Sequence, residues 1–237
     1  FLIPQNNVNS ALNGLYCELT PESLTLTTTD GHCLAQVQTN RYHLAEPRNW
    51  LLPRRAVLEL KKIIEDFKEE KVFLGTCGNQ LVFSGESFNF FTKLLSAAFP
   101  EYKAILGKKG FIPATLDRSS LIKTLRRSTC LLSGQFIATS FGFETDALDV
   151  SLHNKEVGKM DERLPMTAFE GEKLQIKFYA PYLLSGLSVF PEEKVTCFVS
   201  NSAKPIIFET EEKAFKAVAV YREYFADKGK FENFIYP

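Results

Sequence analysis

Asp30, His32 and Cys33 fall within four consecutive positions of the stretch TTTDGHCLA, residues 27–35. A carboxylate, an imidazole and a thiol set so closely could ligate a metal or build a nucleophile. A zinc site needs three or four converging ligands at regular spacing. His43 and His153 are the other imidazoles, and no HxxxH or CxxC surrounds the stretch. A cysteine nucleophile needs a base and a group to orient it, and the neighbouring residues offer neither. The chain is therefore read as a non-enzyme with no cofactor. Asp30-Gly31 between two alternating runs is instead a strong hairpin signal, with Gly31 free to take a positive φ. A hairpin on a rigid scaffold can still carry binding.

The elements that would position this hairpin repeat along the chain. Residues 50–83 (WLLPRRAVLELKKIIEDFKEEKVFLGTCGNQLVF) and 174–208 (LQIKFYAPYLLSGLSVFPEEKVTCFVSNSAKPIIF) share one order: strand, amphipathic helix, EEKV, strand, turn, strand. Glu69–Val72 and Glu192–Val195 lie 123 positions apart. Residues 18–32 and 143–154 repeat at nearly the same shift, with Leu24 and Leu148 in matching places. Alternation predicts strands in LNGLYCEL, SLTLTTT, HCLAQVQ, KVFLGTC, QLVFSG and FNFFTKLL. Helical spacing appears over 56–67, where Val57, Leu60, Ile63, Ile64 and Phe67 make one stripe, and again over 118–132 and 180–189. Asp117 offers the second helix an N-cap. Many strands with few helices imply an α+β fold, antiparallel sheets with helices on one face. GKKGFIPATLD, residues 107–117, reads as the joint between domains 1–108 and 109–237.

Composition narrows the class further. The 237 residues carry 28 basic and 28 acidic side chains, so any nucleic-acid contact must come from a segregated basic face. Arg54, Arg55, Lys61 and Lys62 lie beside the apolar stripe of the first helix, and Lys123, Arg126 and Arg127 beside that of the second. Such a face would attract phosphates without reading sequence. Five unpaired-looking cysteines suit a reducing cytoplasm. No apolar run of about 18 residues predicts a membrane span. The opening FLIPQ lacks the charged start of a signal peptide.

LNGLYCE (12–18), TTTDGHCLA (27–35), WLLPRRAVLEL (50–60), FTKLLSAAFPEYKAIL (91–106) and KFYAPYLLSGL (177–187) together resemble the bacterial sliding clamp, the beta subunit of the replicative DNA polymerase. The family shows matching segments in the same order, with TDGH followed later by an FPDY turn. The resemblance implies repeated DNA-clamp domains, here the middle domain (1–108) and the C-terminal domain (109–237). It implies a head-to-tail homodimeric ring around double-stranded DNA, lined by basic helices, that tethers polymerase and clamp-loader subunits. The chain departs from the family in three places. Nothing corresponds to the family's first domain. Leu12 follows FLIPQ after six residues, where the family has a helix. The tail matches the family's YxVMPxR-like ending only loosely, at Val218–Arg222.

The same resemblance implies a groove for short motifs rich in Gln, Leu and Phe. Carried over position by position, its residues are Leu12, Thr29, Gly31, His32, Leu34, Pro100, Ile105, Phe136, Tyr182 and Pro205. Mostly apolar walls with a few polar groups suit such a ligand. Cys33 and Ala104 stand where the family favours cations, which implies altered partner preference. Cys130 and Leu131 would face a neighbouring subunit. Two alternatives stay open: a repeat-built peptide-binding module that does not act on DNA, and an enzyme using Asp30, His32 and Cys33.

Overall fold

A computed structural model describes residues 2–40, 46–67, 71–132, 137–167, 169–201 and 204–210, with the backbone of 215–219. The chain divides into two units, residues 1–31 with 36–100, and residues 32–35 with 101–237. No helix among the described residues is long and apolar enough to cross a membrane.

The first unit is built from strands β1 (Gly14–Leu19), β2 (Leu24–Thr29), β3 (Cys33–Thr39, whose first three residues fall to the second unit) and β4 (Arg48–Pro53), then helix α1 (Arg54–Phe67), then β5 (Phe73–Cys77), β6 (Gln80–Ser84) and β7 (Asn89–Lys93). One sheet runs β4-β1-β2-β3 and a second β5-β6-β7. Antiparallel pairing of β1 with β4 sets Cys17 opposite Trp50 and Leu15 opposite Leu52. Alternation along these strands buries Cys17, Leu19, Trp50 and Leu52 together with Leu60, Leu81 and Phe83. Gly14 cannot be replaced cheaply, since a Cβ there would lie 2.6 Å from the Leu52 carbonyl oxygen. Burial drives the Cys17 thiol up to about 12. The predicted stripe on α1 is only half used. Leu60 is buried and Val57 packs against the same core, whereas Ile64 and Phe67 are exposed, Phe67 resting its ring on Phe88 at 5.3 Å; α1 packs chiefly on β1 and β4.

The second unit opens with β8 (Ile112–Asp117), α2 (Arg118–Cys130), β9 (Thr139–Phe143), β10 (Ala147–Asn154) and β11 (Gly158–Pro165). The same order, strand, helix and three strands, then returns as β12 (Leu174–Phe178), α3 (Ala180–Leu187), β13 (Lys194–Val199), β14 (Ile206–Glu209) and β15 (Phe215–Ala219). Each half lends its leading strand to the other: β12 joins β11-β10-β9, and β8 joins β15-β14-β13. The two helices pack on each other. Phe141, Phe143, Phe178, Leu125, Leu148 and Leu187 are among the fully buried side chains. The repeat read from the two EEKV blocks is thus β4-α1-β5-β6 set against β12-α3-β13-β14.

Asp117 caps α2, its carboxylate accepting from the Ser120 backbone N–H at 2.7 Å. Hydrogen bonds from the Ser120 side chain, then from its backbone, hold Asp117 below the usual carboxylate range. A depressed native pKa adds stability above the unfolded value, and that stability fades as pH falls through the native one. Asp117→Ala is expected to cost about 1 kcal/mol near neutral pH, and less in acid. Parallel urea titrations of both forms across acidic pH read this out.

Candidate functional site

The hairpin between β2 and β3 is set by local chemistry. The Thr29 hydroxyl accepts from the Gly31 N–H at 3.1 Å, and Gly31 takes φ 91°. The turn leaves Gly31 and His32 exposed while Cys33 and Leu34 point inward. At 5% exposure the Cys33 thiol cannot meet a dissolved substrate. No cluster of three or more potential metal ligands occurs among the described residues.

His32 and Tyr182 meet. Their rings stack with centroids 5.7 Å apart and planes 12° from parallel. Tyr182 sits in the first turn of α3, where Pro181 also lies. Tyr179, the N-cap residue, sets its ring edge-on against Tyr182 at 5.1 Å and 77°. Sequence reasoning missed Tyr179, although the spacing in YAPY places both rings at the helix start.

The other groove candidates are distributed as follows. Leu12 lies half-buried in a 3-10 turn, Ser10–Asn13, capped by the Asn9 side chain on the Ala11 N–H. Pro100 is half-buried beside Phe99, whose ring stacks on Tyr16 at 4.7 Å and 4°. Ile105 is half-buried in a second 3-10 turn, its N–H bonded to the Tyr102 carbonyl at 3.0 Å. Pro205 is half-buried just before β14. Ala104 is exposed. Phe136 and His43 lie outside the described residues.

Of the seven cations expected to face DNA, four are engaged within the chain. Arg54 Nε donates to the Ile3 carbonyl at 3.1 Å. Lys61 pairs with Glu65 at 3.7 Å and Lys62 with Glu59 at 3.3 Å. Arg127 forks onto Glu162, with one contact at 2.6 Å, and Glu162 also accepts from the Thr124 hydroxyl. Arg127 is the main reason the Glu162 carboxyl titrates below its ordinary range. Arg55, Lys123 and Arg126 are exposed and make no ion pair among the described residues. These three form the usable positive set. Glu162 lies 35 positions downstream of Arg127 and shares no motif with it, so nothing in the sequence announced their pairing.

Cys130 ends α2 exposed, its thiol donating to the Arg126 carbonyl at 3.3 Å. Leu131 is the C-cap, and its carbonyl accepts from the Asn154 side chain at 2.7 Å. Asn154 therefore fixes the helix end, a role the sequence did not signal.

Two family models match the chain: the DNA polymerase III beta subunit central domain over residues 1–101, and its C-terminal domain over 103–222. The chain belongs to the DNA polymerase III beta subunit family. Among its relatives, the beta sliding clamp of Pseudomonas putida is 28% identical over 85% of this chain and 55% of its own length. That of Staphylococcus aureus is 24% identical over 88% and 55%. The chain spans about half the length of the curated beta subunits it matches. The fold is that of solved DNA polymerase sliding clamps. The Pseudomonas aeruginosa clamp superposes with a TM-score of 0.87 at 24% identity, covering 94% of this chain and 62% of that one. The Bacillus subtilis clamp gives 0.87 at 21%, covering 94% and 60%. The α+β reading, antiparallel sheets with a few helices, agrees with these beta-subunit structures.

Proposed function

We propose that this chain is the middle (1–108) and C-terminal (109–237) portion of a cytoplasmic DNA polymerase processivity factor. Its role is mechanical. In the intact homodimeric ring, duplex DNA passes through a hole lined by α1, α2 and α3, held by diffuse, sequence-independent attraction. Escape then requires opening the ring, so weak contacts suffice and the clamp slides. Polymerase, clamp loader and repair proteins attach through short motifs that contact His32 and Tyr182, which raises their concentration at the primer end. The match of both halves to consecutive beta-subunit domains carries this reading. A clamp of this fold from Pseudomonas aeruginosa has been solved bound to griselimycin, which supports a ligand-taking surface.

Arg55, Lys123 and Arg126 supply the attraction, with Lys61 and Lys62 able to exchange their exposed carboxylate partners for phosphates, since such surface pairs are worth roughly 0–1 kcal/mol. Arg127 contributes little, because Glu162 already neutralises it. Combined Arg55→Glu, Lys123→Glu and Arg126→Glu is expected to weaken binding to a short linear duplex and to flatten its salt dependence by about 0.9 per lost phosphate contact. Filter binding across a salt series measures this. An unchanged slope, with peptide binding intact, would favour a peptide-binding module that does not act on DNA.

A further inference from the structure

On the outer face of the β11-β10-β9-β12 sheet lies a cavity of about 320 Å³ that shares no residue with the groove or with the DNA-facing set. Gly142 on β9 is central to it, paired with Asp149 on β10 and with Gln175 on β12. Neighbouring strands stand about 4.8 Å apart, so those two residues flank an opening of roughly 10 Å. Phe141 and Phe143 are buried in the core, which leaves Ser140 and Gly142 half-buried on the other face. The chain's own packing does not demand a glycine at 142. Its φ is not positive, and an added Cβ would meet Asp149 Cβ at 3.5 Å, an ordinary contact. A glycine inside a strand weakens it, and often marks a place where a ligand approaches the backbone closely.

The charges around this glycine leave one sign missing. Lys173 pairs with Glu144 at 2.6 Å. Arg163 forks onto both carboxylate oxygens of Asp149 at 3.0 Å. Both carboxylates line the cavity, so the series runs cation, carboxylate, Gly142, carboxylate, cation. An ionised carboxylate has about four lone-pair sites, so each can hold a second cation. Gln175 Nε2 donates to Ser140 Oγ at 3.0 Å. The Gln175 amide oxygen and the Ser151 hydroxyl, also in the lining, make no hydrogen bond among the described residues.

We propose that this cavity takes the guanidinium of an arginine side chain from another polypeptide. The planar fork lies over Gly142, where a larger residue would block it, and donates to Glu144 and Asp149, with Gln175 and Ser151 as further acceptors. Its charge completes the alternation. A compact ammonium cannot span both carboxylates in this way.

The probe is acetyl-arginine methylamide added to the intact 237-residue chain, followed through the amide NMR signals of Gly142, Ser151 and Gln175. Saturable shifts of these signals are expected. Acetyl-lysine methylamide should bind about tenfold more weakly, and the neutral acetyl-citrulline methylamide should leave the signals in place. Gly142→Val, a residue that strands favour, is expected to abolish binding with the native circular dichroism spectrum retained. Glu144→Gln and Asp149→Asn keep the shape and remove one charge, and each should weaken the probe by about tenfold. They decide the matter even where Gly142→Val fails to fold. Absence of a saturable shift overturns the proposal. So does an equal response to the citrulline compound, or binding that survives Gly142→Val or both charge variants.

Discussion

Tyr182→Ala lowers the affinity of this chain for a Gln-Leu-Phe peptide by at least tenfold, a loss of about 1.4 kcal/mol. Interface energy concentrates in a few aromatic anchors held in place before the partner arrives. Tyr182 meets that description, half-buried, stacked on His32 at 5.7 Å and braced edge-on by Tyr179. Truncation removes both the apolar surface and the ring that keeps His32 aligned. His32→Ala is expected to cost less, since that imidazole is exposed. In a double-mutant cycle the two should couple by about 0.5–1.5 kcal/mol, the usual range for an aromatic pair. Pro100→Ala, which removes a small apolar contact, should give a smaller loss still. Fluorescence titration of a labelled peptide reads all of these without needing DNA or a closed ring. An affinity unchanged by Tyr182→Ala, with the native circular dichroism spectrum retained, removes Tyr182 from the groove.

How much of this could be read from the residues depended on whether the signal was local. Asp-Gly between alternating strands specified its own hairpin, and Asp117 before Arg118-Ser119-Ser120 specified its own cap. The two EEKV blocks gave the strand-helix-strand-strand order in both units, because each block is contiguous in the chain. Pairings across the fold were not legible. Lysines and arginines on a polar helix face look alike in sequence, and their partners separate them. Glu162 claims Arg127 from a strand, and the Ile3 carbonyl claims Arg54. The apolar stripe of α1 misled in the opposite sense. Its period predicted burial for Ile64 and Phe67, but burial needs a covering element: among the described residues Leu187 and Phe190, 123 positions on, are buried beside α2, while Ile64 and Phe67 stay exposed. Periodicity reports what a side chain could bury against and cannot report whether that surface is present.

Phe141→Ala is expected to destabilise the second unit by about 3–5 kcal/mol. Phe141 is 2% exposed on β9, where it faces Val150 on β10 and Ile176 on β12 in the antiparallel register. Its ring meets Phe178 edge-on at 5.5 Å and 70°. Phe178 is the residue before Tyr179, the N-cap of α3, so the core under β9 and β12 also sets where Tyr182 starts its helix. Removing the ring therefore loses transfer energy, leaves a cavity in a sheet too regular to collapse, and loosens the strand that carries the aromatic pair. Phe141→Leu keeps most of the volume and should cost less than about 1.5 kcal/mol. Urea unfolding followed by circular dichroism gives the stability, and peptide titration of the Leu variant gives the site. The core and the docking surface are coupled through β12 if the Leu variant loses peptide affinity out of proportion to its small loss of stability. They are energetically separate if affinity holds while stability falls, and the position of Tyr182 would then be fixed by its contacts with His32 and Tyr179 rather than by the sheet beneath.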